Sequence, residues 1–323
     1  MLDKLGRTID YLRVSVTDRC NLRCTYCMPP EGIQAVRHED VLSYEEILRI
    51  VRLMAQLGIK KVRLTGGEPL VRKGLSSLVA GIKATEGIEK VVLTTNASLL
   101  SEQLPALIAA GLDGVNISID AIEEEVFREI TRREGVDKVL CAIDDALKYP
   151  QLRVKLNCVP TPVNFSQIIP MAERFLQDGR LSLRFIELMP IGLGKGCEGI
   201  PEKELRELIE SEFGELTALP HVPTDGPCRY FTLKTLPGKI GFISAVSDCF
   251  CASCNRVRLT SGGFLKTCLQ FDRGVELRPL MGLSDEELLA AMRSAILEKP
   301  ERHKFSETDF AHAERHIMSQ IGG

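Results

Sequence analysis

The sequence predicts an α/β protein: a parallel sheet covered by helices, with a smaller C-terminal α+β extension. Three observations carry that reading. Six strand-like runs alternate with helix-like runs over the first two-thirds of the chain, the pattern of β/α units. The alternation stops near residue 216, where Pro- and Gly-rich sequence and short strand-like runs take over. The chain has 323 residues, 44% hydrophobic and 26% charged, enough to bury a core without disulfides.

The elements follow in order. "YLRVSV" (11–16) alternates apolar and polar residues and predicts a strand. "SYEEILRIVRLMAQLG" (43–58) predicts a helix, with Ser43 and Glu46 spaced for a capping box. Ile47, Ile50, Val51, Met54 and Leu57 fall on one face, and Gly58 ends the run. Strands are expected at 61–66, 90–96, 114–120, 153–159 and 181–188, with helices near 74–85, 101–110, 122–132, 136–148 and 165–177. Six such units fit a partial β/α barrel or an open doubly wound sheet. Either way ligands gather beyond the carboxyl ends of the strands. A helix at 201–213 precedes "LPHVPTDGPCRY", the short runs "YFTLKTL" and "KIGFISAV", and a last helix at 284–297. The division is placed between 1–215 and 216–323. The tail, "HIMSQIGG", is polar and ends in two glycines, which leaves it mobile unless something holds it.

Net charge is −3, so no global basic field points to nucleic acid. The N-terminus "MLDKLGRTID" lacks a secretory pattern, and no apolar run is long enough to span a bilayer. A cytoplasmic protein without nucleic-acid or membrane partners is expected. Eleven cysteines are then many, because cytosolic disulfides are rare and clustered thiols there point to metal or redox chemistry. Cys141 and Cys158 sit among apolar residues and are expected to be core thiols.

The first cluster is Cys20-x3-Cys24-x2-Cys27, in "SVTDRCNLRCTYCMPPEG" directly after the first strand. Three thiolates can hold three irons of a 4Fe–4S cluster and leave the fourth open to a small molecule. A structural zinc site with a distant fourth ligand is the alternative. "CNLRCTYC" resembles the signature of the radical S-adenosylmethionine (SAM) enzymes. The resemblance implies an incomplete TIM barrel, a partial (β/α)6 barrel. It also implies a cluster whose open iron takes the amino and carboxylate groups of SAM, and a 5′-deoxyadenosyl radical that abstracts hydrogen. It places Tyr26 beside the adenine, gives Gly67 of "LTGGEP" a backbone contact, brings Ser118 of "NISID" to the SAM end, and matches Met189 of "ELMPIG" to a backbone contact with adenine. Glu68 offers a carboxylate where the SAM ammonium would dock. Arg184 is open to two readings: a partner for the SAM carboxylate, or a surface salt bridge.

The second cluster, "CFCASCNRVRLTSGGFLKTCL" (249–269), contains Cys251-x2-Cys254-x13-Cys268, with Cys249 close by. Bare spacing allows a zinc site or an iron–sulfur site. The run from Cys251 to Leu269 resembles that of the GTP 3′,8-cyclases of molybdenum-cofactor biosynthesis. "LRVSVTDRCNLRCTYCMP", "RLTGGEPLVR", "LTTN", "VNISIDA", "RFIELMPIG" and the terminal Gly-Gly extend the likeness over nearly the whole chain. The resemblance implies a lyase that converts GTP to 3′,8-cyclo-7,8-dihydro-GTP. Cys251, Cys254 and Cys268 would hold a second 4Fe–4S cluster whose open iron binds guanine. Arg13, Arg63, Thr94, Lys155, Arg256 and Arg258 would hold GTP, and the tail glycines would reach the active site. An electron donor such as a flavodoxin or ferredoxin, the next enzyme of the molybdopterin pathway and a second copy of the chain are the implied partners. The charge pattern agrees. Arg13, Arg63 and Lys155 lie in apolar alternating strands, where an inward charge is costly unless paired, and Arg256 and Arg258 share a face if 255–260 is a strand.

Two features depart from the family pattern. Ala97 stands after "TTN", where the family has glycine, and "TPVNFSQ" replaces its usual Gly-Val-Asn run. Two rival functions remain on sequence alone: a radical SAM enzyme acting on a peptide, and a zinc-binding scaffold without catalysis.

Overall fold

A computed structural model describes residues 1–34, 36–220, 226–305, 314 and 316–322. Residues 221–225 of the Pro/Gly-rich stretch and the terminal Gly323 lie outside the described residues. Six strands run through the first part: β1 (Tyr11–Ser15), β2 (Lys61–Thr65), β3 (Lys90–Thr95), β4 (Gly114–Ser118), β5 (Arg153–Cys158) and β6 (Ser182–Ile186). Helices α1 (Tyr44–Gln56), α2 (Leu75–Lys83), α3 (Leu100–Ala109), α4 (Glu124–Thr131), α5 (Val136–Leu147) and α6 (Ile168–Phe175) fall between them, and α7 (Glu202–Phe213) follows. The later elements are β7 (Thr217–Ala218), β8 (Arg229–Thr232), β9 (Lys239–Ile243), β10 (Arg256–Leu259), β11 (Phe264–Lys266), β12 (Gly274–Glu276) and α8 (Asp285–Leu297).

The strands form one sheet in the order β12-β11-β10-β1-β2-β3-β4-β5-β6-β9-β8-β7. The six expected strands pair in parallel and in sequence. Beyond them β10 adds in parallel to β1, and β9 adds in parallel to β6. The C-terminal part therefore extends the barrel wall at both edges instead of building a separate sheet. Antiparallel hairpins finish each edge, β10–β11–β12 on one side and β9–β8–β7 on the other.

Period-2 alternation sets the two faces. Leu12, Val14, Val62, Leu64, Val91, Leu93, Val115, Ile117 and Leu156 are fully or almost fully buried. They meet the apolar stripes of the helices. Ile47, Ile50, Val51, Leu53 and Met54 form that stripe on α1, and the capping box of Ser43 and Glu46 is present. Gly58 has φ 93°, the left-handed conformation that stops the helix at little cost. Helix α6 is shorter than expected because Pro162–Gln167 forms a 3-10 turn, with Thr161 and Asn164 as its capping box. Asn164 is fully buried there and donates to the Asp120 and Val159 carbonyls, both at 3.0 Å. The "TPVNFSQ" departure thus carries its own hydrogen-bond network.

One expectation needs correction. Cys158 is buried as a core thiol, but Cys141 is exposed, because it falls on the outer face of α5. The tail, expected to be mobile unless held, is held at its described end. The Gly322 carbonyl accepts from Arg258 Nη1 at 3.1 Å and from the Thr65 hydroxyl at 3.2 Å, and Ile321 is buried.

Candidate active site

The opposite face of the sheet lines a cavity of about 840 Å³. Both cysteine triads lie on its wall, together with Arg13, Tyr26, Arg63, Gly67, Thr94, Ser118, Met189, Arg256 and Arg258. Lys155 is the exception among the expected site residues. It stands on the same strand face, but its ammonium donates to the Tyr230 hydroxyl at 2.9 Å, and it is not part of the cavity lining.

The first cysteine loop is fastened from three sides. Arg23 and Thr25 N–H groups donate to the Thr131 and Ile130 carbonyls at the end of α4, both at 2.9 Å. Cys27 and Met28 N–H groups turn back onto the Cys24 carbonyl at 2.9 and 3.0 Å. Gly67 and Glu68 N–H groups donate to the Thr17 and Arg19 carbonyls at 2.7 and 2.8 Å. These last bonds explain the two glycines. A Cβ on Gly67 would stand 2.4 Å from the Arg19 carbonyl oxygen, and one on Gly66 would stand 2.4 Å from that of Thr17. Both obstacles are backbone and cannot swing aside. Gly67→Ala is therefore expected to displace the cysteine loop and lower iron by about four per chain after reconstitution. Far-UV circular dichroism should stay unchanged, and iron retained at the parent level would refute the packing argument.

Glu68 is committed within the protein. Its carboxylate accepts from the Leu70 N–H at 2.9 Å, the Thr95 hydroxyl at 2.8 Å and the Asn96 N–H at 2.7 Å. Burial pushes its pKa up to about 7, against the pull of those hydrogen bonds. It anchors the end of β3 to that of β2 and is not an open dock for an ammonium group. Asn96, held this way, places its amide 3.9 Å from Cys20 Sγ. Ala97 has φ 62°, which costs a non-glycine residue about 1–2 kcal/mol. The turn is pinned by its N–H to the Thr95 hydroxyl at 2.9 Å and its carbonyl to Leu100 N–H at 3.0 Å.

Sequence reasoning missed Asp120. Its Oδ2 accepts from the Tyr26 hydroxyl at 2.5 Å and its Oδ1 from the Val159 N–H at 2.8 Å. This carboxylate fixes the ring of Tyr26 at the cavity wall. Burial raises the Asp120 pKa and pushes that of Tyr26 far up, helped by the adjacent carboxylate. An aspartate following "NISI" at a strand end was a readable signal of a site residue.

On the deeper wall, side chains from adjacent strands meet in register. Arg13 stands beside Arg63 and Arg258. Arg63 donates to Thr94 Oγ1 at 2.9 Å and also to the Tyr11 hydroxyl. With its amide oxygen turned to the two guanidinium groups, Asn116 accepts from Arg63 Nη1 at 2.5 Å and Arg184 Nη2 at 2.7 Å. Arg184 also donates to Asn157 Oδ1 at 2.5 Å. It is only 5% exposed and makes no ion pair among the described residues, so the surface-salt-bridge reading fails. Its Nε is buried without a hydrogen-bond partner, on a residue that lines the cavity. A buried orphan donor of this kind calls for an acceptor from a ligand. Burial should raise the pKa of Tyr11, but Arg63, Arg13 and Lys61 outweigh it and bring the phenol down to about 7. The concentration of cations on this wall suits a polyanion, although the chain as a whole is acidic.

The two expected cysteine triads are not gathered for single ions. Among the described residues, the groups of three metal-type donors lying within 4.8 Å of one another are Cys249–Cys251–His303 and Asp272–Glu314–His316. Neither expected cysteine triad is drawn that tightly, as ligands of one zinc ion must be. Thiolates on separate corners of a cube stand farther apart, since each holds a different iron. Burial raises the pKa of Cys20 and of Cys24, and pushes that of Cys27 up to about 12. These thiols must lose protons when they take metal. Cys254 differs: burial works against its thiolate, but Arg256 and Lys299 prevail and hold its pKa at about 6.

Comparison with known proteins bears on this site. A family model described as the radical SAM superfamily matches residues 14–175, and one described as Molybdenum Cofactor Synthesis C matches residues 181–305. A protein of Clostridium perfringens strain 13 named GTP 3′,8-cyclase is 44% identical over 326 residues, covering 100% of both chains. One of the same name from Geobacter sulfurreducens is 42% identical over 328 residues, covering 100% of this chain and 99% of the relative. Among solved structures, Streptococcus suis SuiB bound to S-adenosylmethionine aligns with a TM-score of 0.58 at 15% identity, over 81% of this chain and 60% of that one. Native anSMEcpe with bound AdoMet aligns at 0.53 and 15% identity, over 88% of this chain and 84% of that one. At such identities the structural likeness speaks for the fold alone. Among the described residues, no helix is long and apolar enough to cross a membrane.

Proposed function

The chain belongs to the radical SAM superfamily and, within it, to the GTP 3′,8-cyclases, and from that premise we propose how its residues divide the work. The enzyme uses SAM and a 4Fe–4S cluster, and it acts on GTP to form the 3′,8-cyclised nucleotide of molybdenum-cofactor biosynthesis. Cys20, Cys24 and Cys27 would hold that cluster. Cys251, Cys254 and Cys268 would hold a second, and guanine would lie against it. The cofactors, when bound, supply the radical chemistry that links the ribose 3′ carbon to C8 of the base. Residues 1–215 would carry the SAM half of the barrel, and 216–323 the second cluster and the tail.

The protein's own part is positioning. Tyr26, braced by Asp120, would flank the adenine of SAM, with Gly67, Ser118 and Met189 along the same rim. Arg13, Arg63, Arg256 and Arg258 would grip the triphosphate, and Thr94, bonded to Arg63, would meet the ribose. Arg184, with its unsatisfied Nε, would donate to whichever ligand oxygen reaches the middle of the cavity. Lys155 would have to release Tyr230 to contribute. The tail, held by Arg258 and Thr65, would help to exclude water. A flavodoxin or ferredoxin would deliver electrons, the next enzyme of the pathway would take the product, and a homodimer would be the working form.

The observation that carries this reading is the single cavity that joins two cysteine triads across a wall of cations. The test is an oxygen-free incubation with SAM, a strong reductant and GTP deuterated at the ribose 3′ position. One deuterium should appear in 5′-deoxyadenosine, together with a cyclised nucleotide. Unlabelled 5′-deoxyadenosine, or turnover only with added peptide, would overturn it.

A further inference from the structure

Three donors near the second triad form a set of their own. Cys249 Sγ, Cys251 Sγ and a ring nitrogen of His303 all lie within 4.8 Å of one another, and of these only Cys251 belongs to the proposed cluster ligands. The set is organised by a clamp. Arg7 Nη1 donates to the Cys251 carbonyl at 3.1 Å and to the Glu301 carbonyl at 3.0 Å, while Nη2 donates to the Pro300 carbonyl at 2.9 Å. One guanidinium thus ties the loop that carries Cys251 to the segment leading into His303. Arg7 is itself buried and fixed by Asp3 at 2.6 Å. The His303 N–H then donates to Cys251 Sγ at 3.4 Å, and its ring packs against Phe305 with centroids 4.5 Å apart. Its Nε2 is buried without a hydrogen-bond partner among the described residues. Cys249 is exposed.

We propose that in the cluster-free chain Cys249, Cys251 and His303 bind a thiophilic divalent cation such as Zn2+, and that this ion excludes the second cluster by occupying Cys251. Two thiolates and an imidazole are a borderline-soft donor set that suits Zn2+ and its spectroscopic substitute Co2+. Zinc–sulfur and zinc–nitrogen bonds of about 2.0–2.3 Å require the three donors to close in by up to about 1 Å. Water takes the fourth position. Each bound thiol gives its proton to solvent, so no oxidant or reductant is involved. The binding stands by itself, whereas the exclusion rests on the proposed second cluster.

The test uses full-length, reduced, cluster-free protein in which Cys20, Cys24 and Cys27 are Ser, so that the first triad cannot contribute. Co2+ is added without oxygen, read by its thiolate charge-transfer and d–d absorption, and then displaced with Zn2+. One Co2+ per chain is expected, with binding weakened at least about tenfold by Cys249→Ser and again by His303→Asn. Cys268→Ser should leave it unchanged. If Cys268→Ser abolishes binding while the other two variants bind normally, the ion sits on the cluster triad and the assignment is wrong. Absence of stoichiometric binding also overturns it. Iron reconstitution of the same host gives a second reading. Prior zinc should block uptake of about four irons, and Cys249→Ser should restore it. Uptake indifferent to zinc would remove the exclusion and leave only the metal site.

Discussion

Replacing Cys24 by Ser is expected to abolish SAM cleavage and to leave the fold standing. Cys24 is the central cysteine of the first triad, and its backbone carbonyl closes the turn by accepting from Cys27 and Met28. Serine keeps that carbonyl and almost the same volume. Its hydroxyl is a poor iron ligand beside a thiolate, so the cluster loses one of three protein ligands. The expected result is 5′-deoxyadenosine formation down by at least about a thousandfold, some 4 kcal/mol at 1.36 kcal/mol per decade. The thermal midpoint of cluster-free protein should match the parent. Cleavage within tenfold of the parent would mean that Cys24 does not ligate iron.

Replacing Arg13 by Met is expected to weaken GTP binding and, at the same time, to stabilise the ligand-free protein. Arg13 sits in register between Arg258 on β10 and Arg63 on β2. Desolvation pushes its pKa well below the ordinary arginine value. Arg258, Arg63 and Arg256 push the same way, and Tyr11 opposes them. Arg258 is held down to about 10 by burial and Arg256. The sign follows from linkage. A base with a lowered folded-state pKa burdens the folded chain while both states are protonated. For Arg258 that burden is complete below about pH 10 and is relieved only as pH rises above it. At neutral pH Arg258 therefore carries that burden in full, and a bound triphosphate would relieve it. Methionine keeps a long apolar stem and removes one cation. Affinity for GTP should fall about ten- to a hundredfold, since a hydrogen bond to a charged group contributes about 1.5–3 kcal/mol. The melting temperature without ligand should rise by about 2 °C or more. A lower melting temperature with unchanged affinity would make Arg13 a structural residue.

The barrel was legible because each β/α unit announces itself locally. Alternating strands, the Ser43–Glu46 box and Gly58 need no knowledge of distant residues. The two cysteine spacings were equally local. What the sequence hid depends on register between strands far apart in the chain. The contribution of β9 and β10 to both edges of the barrel is one case, because a four- or five-residue strand carries no sign of its neighbour. The Arg63–Asn116–Arg184–Asn157 ladder is another, since its members come from four strands, and Asn116 and Asn157 alone read as ordinary polar residues. Glu68 was misread because a carboxylate at a strand end looks open until the three donors that occupy it are seen. Cys141 was misread because apolar neighbours in sequence fall on another face of a helix.

A second cluster, held by Cys251, Cys254 and Cys268, would meet GTP across the shared cavity. Electron paramagnetic resonance of protein lacking Cys20, Cys24 and Cys27, reconstituted and reduced without oxygen, tests it with no interference from the first site. A single 4Fe–4S signal whose g-values shift when GTP is added, and not when ATP is added, is the predicted result. No cluster signal in that protein, or one indifferent to GTP, would contradict the account.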